Sequence, residues 1–151
     1  MTPIGSTDEP LRHTHDLPSF ADAEVVDAMR VGLITCPPDA PLVDVARTMA
    51  AYRVHCVVVE TRGAAGKGPW GIVSDIDLVR AASEGGLYRR AADVARSGAV
   101  TVAADEPLGR ALALMARHDV SHLVVVQGHS GQPVGVLSAL DVADVVAWGG
   151  R

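Results

Sequence analysis

Residues 71–77 read Gly-Ile-Val-Ser-Asp-Ile-Asp, and residues 135–141 read Gly-Val-Leu-Ser-Ala-Leu-Asp. Each stretch is a glycine, two apolar residues, a serine, and an aspartate three positions after the serine. An apolar run that closes on serine, with an acid three residues later, predicts a strand running into the N-terminus of a helix. The serine would cap the first backbone N–H groups, and the acid would reach back to the start of the turn.

Working outward, the match between the two stretches extends through most of the chain. Residues 27–59 align with 93–125 at an offset of 66. Identical pairs include Asp27/Asp93, Arg30/Arg96, Gly32/Gly98, Thr35/Thr101, Asp39/Asp105, Pro41/Pro107, Leu42/Leu108, Met49/Met115, Val54/Val120, Val58/Val124 and Val59/Val125. Gly71/Gly135, Ser74/Ser138 and Asp77/Asp141 then match at an offset of 64, so the second copy is two residues shorter in the loop between. Gly, Pro, Thr and Asp keep their order in both copies, which identifies the chain as a tandem duplication.

Each copy reads as the same series of elements. A short helix comes first, near Ala23–Met29 and Ala91–Ala95. A brief strand follows at Leu33–Cys36 and Ala99–Val102. Asp39-x-Pro41 and Asp105-x-Pro107 mark helix starts. The apolar positions Leu42, Val45, Ala46, Met49, Ala50 and Leu108, Ala111, Leu112, Met115, Ala116 have the spacing of an amphipathic helix. The strands Cys56–Glu60 and His122–Val126 show little alternation, as expected of strands covered on both faces. The glycine-containing loops Thr61–Gly68 and Gln127–Pro133 lead into Trp70–Val73 and Val134–Leu137, a hairpin arrangement. A second helix opens at Ser74 or Ser138, the first ending near Gly85–Gly86. Each unit is therefore β-α-β-β-α with a small helix in front. The expected organisation is an N-terminal tail or arm over 1–20, a first unit over 21–86 and a second over 87–151.

Composition narrows the function. The chain carries 48% apolar but only 3% aromatic residues, with a formal charge of -5. Few aromatics leave little surface on which nucleic-acid bases could stack. No Lys/Arg block suggests a nucleic-acid or anionic-membrane surface. No apolar run approaches the roughly 20 residues of a membrane span, and Met1–Pro18 has no secretory apolar region. Cys36 and Cys56 form no CxxC motif, so a reduced, cytoplasmic protein is expected. No G-x-S-x-G, P-loop or G-x-G-x-x-G before a helix is present, and no enzymatic activity is expected.

The order of these signals resembles the cystathionine β-synthase (CBS) domain, in two copies. The residues that carry the resemblance are Asp27-Ala28-Met29, Thr35, Pro38-Asp39-Ala40-Pro41-Leu42, His118-Asp119-Val120-Ser121-His122-Leu123 and Gly135-Val136-Leu137-Ser138, with the Ser-x-x-Asp motif present twice. It covers about residues 23–147. The resemblance implies an α/β (α+β) fold of the Bateman-module type, two units packed through their sheets about a pseudo-two-fold axis. It also implies two clefts that hold AMP, ADP, ATP or a related adenosine compound, a regulatory role, and pairing into a homodimer. The chain departs from the family in having Val58 and Val124 where proline is frequent, and in placing Cys56 where the second copy has His122.

The candidate site follows from the motif. A strand-to-helix junction offers backbone N–H groups and the helix dipole to a phosphate. Ser74 and Ser138 would add hydroxyl donors. Asp77 and Asp141 would accept from the ribose 2′ and 3′ hydroxyls, a charge-assisted pairing that discriminates against deoxyribose. Thr35 and Thr101 would address base or phosphate. By the resemblance, the backbone around Val54, His55, Cys56, Val57 and around Val120, Ser121, His122, Leu123 would hold adenine. The alternative is that Ser-x-x-Asp is only a capping box, in which case the protein is a constitutive interaction or scaffold module with vestigial clefts. Other features point to no site. His13-Thr14-His15 has no further metal ligand nearby, Arg53, Arg80 and Arg117 suit solvated helix ends, and Cys36 and Cys56 are expected as buried thiols. No cofactor is expected to be obligatory. The reading is an adenosine-nucleotide sensor acting on an unidentified regulated protein.

Overall fold

The computed structural model describes residues 18–60, 71–95 and 99–149. The expectations for most of the tail and for the loop Thr61–Gly68 lie outside these residues. The elements in chain order are α1 (Val25–Ala28), β1 (Arg30–Val31), β2 (Thr35–Cys36), α2 (Leu42–Tyr52), β3 (Cys56–Val59), β4 (Gly71–Ser74), α3 (Asp75–Ser83), α4 (Ala91–Val94), β5 (Thr101–Ala103), α5 (Leu108–His118), β6 (His122–Val126), β7 (Pro133–Ser138) and α6 (Ala139–Trp148).

The strands form two sheets, β2-β3-β4 and β1-β7-β6-β5. In each, a strand followed by a long helix returns parallel to the next strand, and that strand then turns back antiparallel. The parallel step needs the helix as a crossover, and the antiparallel step needs only a hairpin. The registers agree between copies: Cys56 faces Ser74 in the first sheet, and His122 faces Ser138 in the second. This is the expected duplicated βαββα fold.

Each sheet carries helices on one face and builds a core there. Leu42, Val45, Met49, Val57, Val59 and Val73 form one cluster. Leu108, Ala111, Met115, Leu123, Val125 and Leu137 form the other. Side chains alternate across a strand, so Cys56 and Val58, or His122 and Val124, take the opposite face. Val58 and Val124 are nonetheless only 1% and 0% exposed, while belonging to neither helix-facing cluster. They are buried on the faces of their sheets turned away from the helix-facing cores.

The small leading helices are exchanged. Ala23 and Val25 belong to the core built on α5, whereas Ala91, Val94 and Ala95 pack against the core built on α2. The same three backbone hydrogen bonds secure each. The Leu108 N–H donates to the Ala23 carbonyl (2.9 Å), Val25 N–H to Glu106 (2.9 Å) and Val26 N–H to Ala104 (2.9 Å). Leu42 N–H donates to Arg89 (2.9 Å), Ala91 N–H to Ala40 (2.7 Å) and Ala92 N–H to Pro38 (2.9 Å), at the repeat offset throughout. Burying Val25 alone is worth about 1.5–3 kcal/mol, so the small helix that leads the first unit is an integral part of the core of the second. Strand β1 continues the exchange by pairing antiparallel with β7, Arg30 opposite Val136 and Val31 opposite Gly135.

Candidate functional site

The two clefts lie where the halves meet, and each takes its walls from both copies. The first, about 270 Å³, has Ile72, Ser74, Ile76 and Asp77 on one side and Ala99, Val100, Asp119, Val120, Ser121 and His122 on the other. The second, about 250 Å³, has Val136, Ser138 and Asp141 facing Arg30–Ile34 and Val54–Cys56, with His122 also on its wall. Both volumes fall just below the usual span of small-molecule pockets, about 300–1,000 Å³. The arrangement follows from topology: the Ser-x-x-Asp junction of one copy is laid against the start of the central strand of the other.

The Ser and Asp of each copy do form a reciprocal capping box. Ser74 N–H donates to Asp77 Oδ2 (2.9 Å), Ser74 Oγ–H donates to the same oxygen (2.9 Å), and Asp77 N–H donates to Ser74 Oγ (3.3 Å). Ser138 N–H donates to Asp141 Oδ2 (2.8 Å) and Asp141 N–H to Ser138 Oγ (3.1 Å). Capping and ligand binding are compatible, because each carboxylate oxygen has two lone pairs. Asp77 and Asp141 are each 7% exposed and line a cleft, an uncommon place for a carboxylate whose only task is an N-cap. Arg30 Nε sits 3.7 Å from Asp141 Oδ1, the oxygen that does not serve the cap.

One expectation about phosphate is corrected. The first-turn N–H groups of α3 are not open to an anion. Asp75 N–H donates to the His55 carbonyl (2.9 Å), Ile76 N–H to the Asp75 side chain (2.8 Å) and Asp77 N–H to Ser74 Oγ. At α6, Ala139 N–H is likewise taken by the Ser121 carbonyl (2.8 Å) and Asp141 N–H by Ser138 Oγ. The junctions close on themselves because strand and capping residue consume the donors first. A phosphate in either cleft therefore meets fewer backbone donors at these junctions than an open helix start would offer.

The other candidate residues divide by strand alternation. Ser74, Asp77, Val120, Ser121 and His122 come together on the first cleft, and Val54, His55, Cys56, Ser138 and Asp141 on the second. Val57 and Leu123 point into the helix-facing cores and line neither cleft. Thr35 and Thr101 line neither cleft either, and the Thr35 hydroxyl donates to Glu60 (3.0 Å). Sequence reasoning missed Arg30, Leu33, Ile34, Ala99, Val100 and Asp119 as lining residues. The identity of Arg30 with Arg96 and of Gly32 with Gly98 was the signal available.

Electrostatics distinguish the residues at the seam. Burial holds the His122 imidazole below its ordinary pKa, opposed by the Asp75 carboxylate. His122 is therefore neutral near pH 7, with Ser121 Oγ 3.1 Å from its Nδ1. His55 Nδ1 lies 3.1 Å from Asp75 Oδ2. Burial pushes the Cys56 thiol up to about 12 and the Cys36 thiol to about 11, so neither is a nucleophile at neutral pH. Both are free and buried. Cys36 pairs with Val59, three residues along β3 from Cys56. At about 3.3 Å per residue the two α-carbons are too far apart for a disulfide. Among the described residues there is no group of His, Cys, Asp or Glu able to hold a metal ion, and no helix long and apolar enough to cross a membrane.

The CBS-domain family model matches the chain twice, over residues 24–84 and 91–147. The chain belongs to the CBS-domain family. Among solved structures, the CBS domain protein PAE2072 from Pyrobaculum aerophilum, complexed with AMP, is 30% identical, with a TM-score of 0.70 over 83% of this chain and 98% of that one. The CBS domain pair of protein MJ0100, in complex with 5′-methylthioadenosine and S-adenosyl-L-methionine, is 18% identical, with a TM-score of 0.73 over 83% and 96%. The CBS domain of a bacterial CNNM/CorC family Mg2+ transporter, in complex with ATP, is 19% identical, with a TM-score of 0.70 over 86% and 91%. No curated protein matches the chain. The last two likenesses concern the CBS fold, and the first concerns family and fold together.

Proposed function

We propose that this CBS pair is a non-catalytic regulatory module that binds adenosine-containing ligands of the AMP, ADP or ATP type in its two inter-repeat clefts. One observation carries the reading. Each buried Ser-x-x-Asp carboxylate of one copy lies on a cleft whose opposite wall is Val120–His122 or Val54–Cys56 of the other. An adenosine bridging that gap would meet a diol acceptor at one end and strand backbone at the other. The family match supports it, as do relatives that hold AMP, ATP, or 5′-methylthioadenosine and S-adenosyl-L-methionine.

A ligand gripping both copies favours whichever packing of the sheets suits it, and differential affinity of that kind passes occupancy to a partner protein. The exposed apolar residues Ile76, Val79, Leu140 and Val146 on α3 and α6 support a homodimer formed through these helices. The two free cysteines, Cys36 and Cys56, support a reducing, cytoplasmic setting. A thermal-shift panel of AMP, ADP, ATP and S-adenosylmethionine tests the proposal. A rise in Tm with at least one of them is expected, since binding to the folded state alone stabilises it. No shift with any at millimolar concentration would favour the scaffold reading instead.

A further inference from the structure

Among the described residues, Arg30 is the one Arg or Lys that lines the second cleft, and its guanidinium is paired with the carboxylate that the ribose would need. We infer that Arg30 makes the second cleft selective for a phosphorylated adenosine over an uncharged adenosyl thioether, by exchanging Asp141 for the ligand's phosphate. This inference rests on the nucleotide-binding reading and specifies which class of ligand the second cleft takes.

Three observations combine. First, α6 spends its Ala139 and Asp141 N–H groups on Ser121 and Ser138, which leaves its first turn poor in donors for an anion. A phosphate beside Ser138 therefore gains most from a cationic side chain. Second, the Arg30 backbone is fixed. Its carbonyl packs onto Gly135, where a β-carbon would clash, and β1 is in register with β7. The side chain, by contrast, is 59% exposed and free to swing. Third, its present partner is weakly held: Nε to Oδ1 is 3.7 Å, an ion pair without hydrogen-bond length.

The exchange is favourable for one ligand class and unfavourable for the other. Ribose hydroxyls displacing the guanidinium from Asp141 leave a cation without its carboxylate. A 5′-phosphate supplies a replacement at once, and Arg binds phosphate through two parallel N–H donors. A thioether supplies none, so its binding has to break the Arg30–Asp141 pair uncompensated. Removing Arg30 should therefore weaken the phosphorylated ligand without weakening the thioether, which a merely structural wall residue would not do.

The test is calorimetric titration with AMP and with 5′-methylthioadenosine. The background carries Asp77→Asn, which withdraws the first cleft's diol acceptor while keeping a capping side chain. Arg30→Ala should weaken AMP about tenfold or more, the scale of a lost charge-assisted hydrogen bond. It should leave methylthioadenosine unchanged or tighter. Arg30→Lys should restore part of the AMP affinity, and circular dichroism should show all variants folded. Equal loss of both ligands, or no change in either, would overturn the inference and leave the nucleotide-binding reading standing. If the native protein binds AMP but the Asp77→Asn background does not, the second cleft is no site, and the inference falls while the first cleft stands. If the native protein binds neither compound the inference falls, and the reading falls with it if ADP and ATP also fail to bind.

Discussion

The carbonyl oxygen of Arg30 rests against Gly135 so closely that no β-carbon fits between them. This contact ties the leading strand of the first unit to the hairpin of the second, and it positions the guanidinium beside Asp141.

Replacing Gly135 by alanine should push β1 off β7. The methyl meets backbone, which cannot turn aside as a flexible side chain could. Overpacking of this kind costs about 1–3 kcal/mol. Urea denaturation should show that loss, and ligand binding at the second cleft should fall with it because Arg30 moves. Unchanged stability would mean that the β1–β7 pairing contributes nothing.

Arg53 and Asp119 end α2 and α5 in the left-handed conformation, with φ of 55° and 52°. A side chain there costs about 1–2 kcal/mol, part of which glycine returns as chain entropy. Arg53→Gly and Asp119→Gly should each stabilise the fold by about 0.5–1 kcal/mol, seen as a higher denaturation midpoint. Asp119→Gly should in addition alter binding at the first cleft, which Asp119 lines, while Arg53→Gly should leave both clefts alone. A loss of stability in both variants would contradict the argument.

Burial lowers the His122 pKa from its ordinary 6.5. As pH falls through about 6.5, the unfolded chain takes up a proton that the folded chain resists. Between the lowered folded value and 6.5 the unfolded state holds more protons, so stability rises with pH in that window and is complete above it. Lowering the pH from about 7.5 to about 5.5 should therefore destabilise the native protein more than His122→Gln. Parallel urea midpoints measured across that range decide the matter, and identical pH slopes would show that His122 is not the group responsible.

The repeat was legible because its punctuation is chemical. Pro41 and Pro107 start helices, Ser74 and Ser138 cap them, and each acts locally whatever lies beyond. The cleft motif was legible for the same reason. The exchange of α1 and α4 was not, because a four-residue helix carries too little periodicity to say which core it enters. β1 escaped notice as well: it has two residues, and Val31 is 84% exposed, so no alternation marks it. For Val57 and Leu123 the resemblance implies adenine contact through the backbone, and it says nothing of their side chains. The period of two along a strand turns them to the other face. The phosphate expectation relied on free N–H groups at the helix start. Whether such groups are free depends on neighbours such as the His55 carbonyl, which only the fold brings there.

The central claim is that Asp77 and Asp141 bind ribose as well as capping their helices. Calorimetric titration of the native protein and of Asp77→Ala and Asp141→Ala with ATP and 2′-deoxy-ATP tests it most directly. The account predicts that the native protein prefers ATP, and that each substitution weakens ATP at its own cleft by about 1.5–3 kcal/mol, tenfold or more. It also predicts that the substituted cleft loses its preference between ribose and deoxyribose. Variants that lose only about 0.5–2 kcal/mol of stability, as for a missing cap, yet keep the native preference for ATP over 2′-deoxy-ATP would contradict it.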